Sequence, residues 1–132
     1  MSVEVSYRTL VDGELEERWE PVTAEVVDRL LEQRLAEYGA TIQDQPTPGA
    51  PLSSEIIFGM RTGQDRGAIY YTDEGGAWFS RGAPARDGDT EVYYADLDFP
   101  ADSEIALAQL RQALLEYHRT ARRPTCIDWQ PA

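Results

Sequence analysis

The chain has 132 residues and a mass of 14.8 kDa, the size of one domain spanning 1–132 with a single sizeable core, and 42% hydrophobic residues can fill it. Twenty-four acidic residues stand against twelve basic ones, all arginine, for a formal net charge of −12 and a pI near 4.4. That balance argues against a nucleic-acid binder, which needs cationic surface to displace phosphate counterions, and against adhesion to anionic lipid; any charged partner is expected to be basic.

Val3, Val5, Tyr7 and Thr9 alternate with Glu4, Ser6 and Arg8, the period of a half-buried strand. Asp12-Gly13 is a turn dipeptide, and Leu15 to Trp19 reads as a short return strand despite Glu16 and Glu17. Thr23 then caps a helix whose apolar stripe is Val26, Val27, Leu30, Leu31, Leu35 and Tyr38, with Gly39 to stop it. The three prolines and one glycine between Gln43 and Pro51 predict a loop.

Three β-rich runs follow: Glu55 to Arg61, Ala68 to Thr72, and Ala77 to Arg81. The segments Gly63 to Gly67 and Asp73-Glu74-Gly75-Gly76 separate them as hairpin turns, the second of them type I′-like. A loop from Gly82 to Asp89 leads to a strand over Glu91 to Phe99, ended by Pro100. A second helix begins near Ile105 or Ala106, with Leu107, Leu110, Leu114 and Tyr117 as its buried stripe. Arg119, Arg122 and Arg123 lie at or past its C-terminus, where positive charge is favoured. Pro124 stops it, and Thr125 to Trp129 reads as a terminal strand. The sum is an α+β fold, a meander-like antiparallel sheet with two helices on one face and a C-terminal strand.

No apolar run approaches the ~18–20 residues of a membrane-spanning helix. Met1 to Val5 has neither the basic nor the apolar region of a secretory signal, and the lone Cys126 suits a reducing compartment, so a cytoplasmic location is expected. One histidine and one cysteine cannot build a conventional zinc or haem site; a carboxylate-only Mg²⁺ or Ca²⁺ site stays open, and no cofactor is expected. His118 reads as a capping or surface residue and Cys126 as a core filler. The glycines match neither a P-loop nor a dinucleotide fingerprint, and no enzyme is expected.

The net negative charge falls entirely in the first hundred residues, because residues 101–132 carry four acids and four arginines. One reading is a solvated surface kept soluble by repulsion; the other is an acidic face aimed at a cationic protein. On the second reading the contact residues are the acids Asp73, Glu74, Asp87, Asp89, Asp96 and Asp98, with Trp78 and Tyr94 as aromatic anchors. By the period-two rule Asp96 and Asp98 share a face with Tyr94, while Tyr93, Ala95, Leu97 and Phe99 face inward. For Trp78 a core-facing position is the competing reading.

The C-terminal run Arg122-Arg123-Pro124-Thr125-Cys126-Ile127-Asp128-Trp129 closes a helix with an Arg-Pro step and leads into tryptophan. Upstream lie Ala68-Ile69-Tyr70-Tyr71, Ser80-Arg81-Gly82, Val92-Tyr93-Tyr94 and Phe99-Pro100-Ala101-Asp102-Ser103-Glu104-Ile105. In this order the segments resemble the first immunity-protein family of bacterial polymorphic toxin systems, over about residues 55–129. The chain departs from that family at Ala121, where a glycine is usual before the Arg-Pro step. The resemblance implies a protein that neutralises a cognate toxin, typically of the nucleic-acid deaminase superfamily, by occluding its active site or substrate channel without chemistry of its own. Trp129 and Pro124 would be fold determinants. A stand-alone acidic interaction or regulatory module, and a small hydrolase using paired carboxylates, are the alternatives.

Overall fold

A computed structural model describes residues 3–32, 39–44, 53–60, 65–83, 92–94 and 97–132. Strands β1 (Val3–Val11) and β2 (Glu14–Pro21) form a hairpin about Asp12 and Gly13, whose φ angles of 51° and 83° are the two positive values a type I′ turn requires. Helix α1 (Ala24–Glu32) starts where the Thr23 hydroxyl accepts the Val26 amide at 3.1 Å, and it buries Val27, Leu30 and Leu31. Leu35 and Tyr38 of the predicted stripe lie outside the described residues; Gly39 has φ 87°.

The loop expected from Gln43 is shortened by a strand, β3 (Ala40–Asp44), which includes Gln43 and Asp44; residues 45–51 lie outside the described residues. Five residues with apolar side chains only at Ala40 and Ile42 carry too little periodic signal. The strand exists because β1 and β4 (Ser54–Met60) bond it on both edges. β5 (Arg66–Asp73) and β6 (Gly76–Arg81) continue the meander, and β10 (Asp128–Pro131) pairs with β6. The resulting order is β2-β1-β3-β4-β5-β6-β10, antiparallel throughout.

The turn between β5 and β6 is not type I′. Glu74 and Gly75 both lack the positive φ that such a turn needs, and Gly76, at 142°, takes the unusual conformation instead. Past Phe79, β6 swings away from β5, and the two-residue β9 (Ile105–Ala106) takes its place beside Arg66 and Gly67. The Ser80 hydroxyl fills the seam, accepting the Ile69 amide at 2.9 Å and donating to the Ser103 carbonyl at 2.7 Å. Gly82 crosses the Glu104 carbonyl so closely that a β-carbon there would sit 1.7 Å from its oxygen.

Along the register, Val5, Ile42, Ile56 and Tyr71 form one inward row. Leu30 of α1 and Leu110, Leu114 and Tyr117 of α2 (Leu107–Thr120) join them in one core, which places both helices on this face. Each such side chain, fully buried, contributes about 1.5–3 kcal/mol. Arg111 of α2 reaches Asp28 of α1 at 2.5 Å across the helix pair.

The strand predicted over Glu91 to Phe99 is instead a small hairpin, β7 (Val92–Tyr94) with β8 (Leu97–Phe99). Because the chain reverses between them, period two does not run from Tyr94 to Asp98: Asp98 stands opposite Tyr93, and Tyr94 opposite Leu97. Phe99 packs on Phe79 at 5.2 Å between ring centroids and, with Ala68 and Tyr70, makes a second small core on the face away from the helices. The terminal strand also begins later than predicted, at Asp128, which leaves Cys126 in the preceding bend and exposed rather than in the core.

Candidate binding surfaces

An open groove of about 810 Å³ lies between the β5–β6 turn and the segment after α2. Its floor is Tyr71, and Asp73, Glu74, Trp78, Arg122 and Arg123 line its sides. Polar ties hold the segment from Ala121 to Ile127 in place. The buried Ser54 hydroxyl donates to the Ala121 carbonyl at 2.8 Å, and its remaining lone pairs accept the Tyr117 hydroxyl at 2.7 Å. Glu116 accepts the Thr125 amide at 2.5 Å, and the Trp129 indole donates to the Pro124 carbonyl at 2.7 Å. Burial pushes the Tyr117 hydroxyl up to about 12, so it stays a neutral donor.

Two of the predicted contact residues are engaged within the fold. Asp73 accepts the Gly75 amide through one carboxylate oxygen and the Tyr71 hydroxyl through the other, each at 2.7 Å. Burial first, and this hydrogen bond second, hold the Tyr71 hydroxyl far above its usual range. Trp78 is half-buried against the core, and the Arg123 guanidinium lies 4.2 Å from its ring centroid, a cation–π contact of about 0.5–1 kcal/mol at such a site. Glu74 is exposed at the turn. The groove therefore gathers Asp73, Glu74 and Trp78 but sets two arginines beside the two acids.

Asp98 is exposed on the hairpin of the opposite face, away from the groove. Tyr94 is placed by its backbone alone, and Asp87, Asp89 and Asp96 lie outside the described residues. Burial, more than the neighbouring Glu116, raises the Cys126 thiol, which makes it a poor nucleophile despite its exposure. Among the described residues no three His, Cys, Asp or Glu side chains gather as a metal site.

A second surface is formed by the β1–β2 hairpin. Leu15 and Trp19 keep 51% and 57% of their surface exposed, more than any other large apolar side chain among the described residues. Both stand on the face away from the helices, because Trp19 is in register with Ser6 and Ser6 with Thr41, the row that alternates with buried Val5 and Ile42. The inward side of the same strand is secured at Glu20, which accepts both the Tyr7 hydroxyl and the Arg29 guanidinium. Those two bonds hold the Glu20 carboxyl below the ordinary range, with Tyr7 the larger cause. A tryptophan and a leucine four apart in an otherwise charged strand were the available signal, but exposure depends on which strand becomes the edge.

A family model described as Immunity protein Imm1 matches residues 16–131. The chain belongs to the Imm1 immunity protein family. No curated protein matches it. Immunity proteins of this kind have a toxin as partner and are generally non-enzymatic. No helix among the described residues is long and apolar enough to cross a membrane.

For this Imm1 protein the matched span runs from within β2 through β10, and it includes both helices and the whole groove. Several residues that carried the resemblance prove to be joints of the fold. Ser80 and Gly82 close the seam between β6, β9 and the start of α2, and Pro124 and Trp129 share the bond that fixes the segment after α2. Ala121 has the left-handed backbone, φ 53° and ψ 23°, that favours glycine at a helix C-cap.

Proposed function

We propose that this Imm1 protein binds a cognate bacterial toxin of the nucleic-acid deaminase class in the cytoplasm and inhibits it by covering its active site or substrate channel. The family match over residues 16–131 carries the reading of a toxin-binding protein. The deaminase class is what the family resemblance implies, and the charge of the chain fits it. A deaminase that takes single-stranded or flipped substrate needs a cationic channel and a base pocket, and a protein of net charge −12 is suited to fill such a channel. Inhibition then needs no bond made or broken, only exclusion of the substrate.

The proposed contacts are Asp73, Glu74, Trp78, Asp87, Asp89, Tyr94, Asp96 and Asp98. Glu74 and Asp98, both exposed, act mainly on the rate of association, as rim charges do. Asp73 acts by shaping the turn that presents Glu74.

The test is co-expression with the toxin encoded by the neighbouring gene, scored by growth, co-purification and deamination of cellular nucleic acid. Growth rescue with a stable complex and loss of deamination is expected. Rescue from a toxin that deaminates nothing removes the deaminase class. Absence of rescue by well-folded protein returns the chain to an interaction module without a toxin.

A further inference from the structure

The hairpin geometry assigns every backbone group of β2 to one side or the other. In a two-residue type I′ hairpin, Val11 and Glu14 exchange hydrogen bonds, and every second pair does the same. The Val22 amide bonded to the Val3 carbonyl at 2.9 Å, at the far end, confirms that phase. Glu14, Glu16, Arg18 and Glu20 therefore spend their amides and carbonyls on β1. Those of Leu15, Glu17 and Trp19 point away from the sheet, and no strand among the described residues pairs with them. The side chains of these same three residues stand on one face, where Leu15 and Trp19 are the exposed apolar pair. Pro21, without an amide hydrogen, closes the open ladder.

An open edge with exposed apolar side chains is a template for another strand. Its charge selects the occupant. β2 carries four glutamates and one arginine in eight residues, so a second copy laid antiparallel with Leu15 on Trp19 would oppose Glu17 to Glu17 and Glu14 to Glu20. We propose that an extended, basic segment of the toxin adds to this edge as a further strand, with its backbone on Leu15, Glu17 and Trp19, an apolar side chain against Trp19, and its lysines or arginines beside Glu14, Glu16 and Glu17. The inference rests on the toxin-binding reading above and adds to its contacts a second surface, at the other end of the sheet. Main-chain bonds supply affinity in such a contact, and Trp19 with the flanking acids supplies the choice of partner.

Two variants and one exchange measurement test it, using the purified 132-residue chain and the toxin domain. Trp19→Ala removes the anchor. Glu17→Pro deletes the central outward amide, which β1 does not use, and proline is tolerated at such edge positions. Each is expected to keep the wild-type melting curve and to weaken the complex by at least about tenfold, the scale of an interface hot spot. In the wild-type complex, amide hydrogen exchange at Leu15, Glu17 and Trp19 should slow relative to the free chain. Wild-type affinity in both folded variants, with these amides still exchanging freely in the complex, overturns the edge proposal and leaves the proposed function standing. A free chain that sediments as a dimer with those amides protected overturns it in favour of a second copy. Failure of the wild-type chain to bind the toxin overturns the proposed function, and the edge proposal with it.

Discussion

Ala121 sits where the backbone prefers no side chain. A left-handed residue other than glycine costs about 1–2 kcal/mol, and glycine in turn loses about 0.4–1 kcal/mol through its looser unfolded state. Ala121→Gly is therefore expected to raise stability by about 0.5–1 kcal/mol in urea unfolding; an unchanged or lower midpoint contradicts the assignment of strain. Glu20 gives a second residue-scale prediction, with a sign fixed by its environment. Its folded carboxyl titrates below the ordinary value of 4.5, so its contribution is complete above that pH and is lost as pH falls through the folded value. Glu20→Gln should cost about 1 kcal/mol at pH 7 and flatten the acid limb of the stability curve below about pH 4.5. An acid limb as steep as wild type would show that the Tyr7 and Arg29 bonds do not set it.

At the scale of elements, legibility followed the range of the interactions. The Asp12-Gly13 turn and the Thr23 cap are decided within four residues of chain, and the structure has both as expected. β3 is decided by two neighbours, one from far along the chain, and its own five residues carry little pattern. The reversal between β7 and β8 escaped for the opposite reason: an unbroken alternation of side chains looks the same whether the strand continues or folds back. The groove was legible only in part. Asp73, Glu74 and Trp78 are local to one hairpin, whereas Arg123 arrives over Trp78 from the far side of α2. Ser80 is the joint that couples β5, β6 and the approach to α2. Ser80→Ala leaves the buried Ile69 amide and Ser103 carbonyl without their shared partner, and a loss of about 1–3 kcal/mol is expected by chemical denaturation. A neutral result would mean that the seam closes without the hydroxyl.

At the scale of the whole molecule, shape and charge divide the work. The sheet and its two helices share one core, the edge strand β2 is left open with Trp19 exposed, and the groove is nearly neutral in its described residues because Arg122 and Arg123 offset Asp73 and Glu74. The net charge of −12 acts over a longer range, so toxin association should slow steeply as salt rises from about 50 to 500 mM while dissociation changes little. Salt-independent association would locate recognition in shape alone. The proposed inhibition is occupancy of a toxin, with nothing turned over. Titration of the purified toxin domain with the purified chain, followed by residual toxin activity, tests it most directly. Activity should fall linearly to zero at one chain per toxin and return when the complex is dissociated; inactivation by substoichiometric chain, or toxin activity untouched at several equivalents, would contradict it.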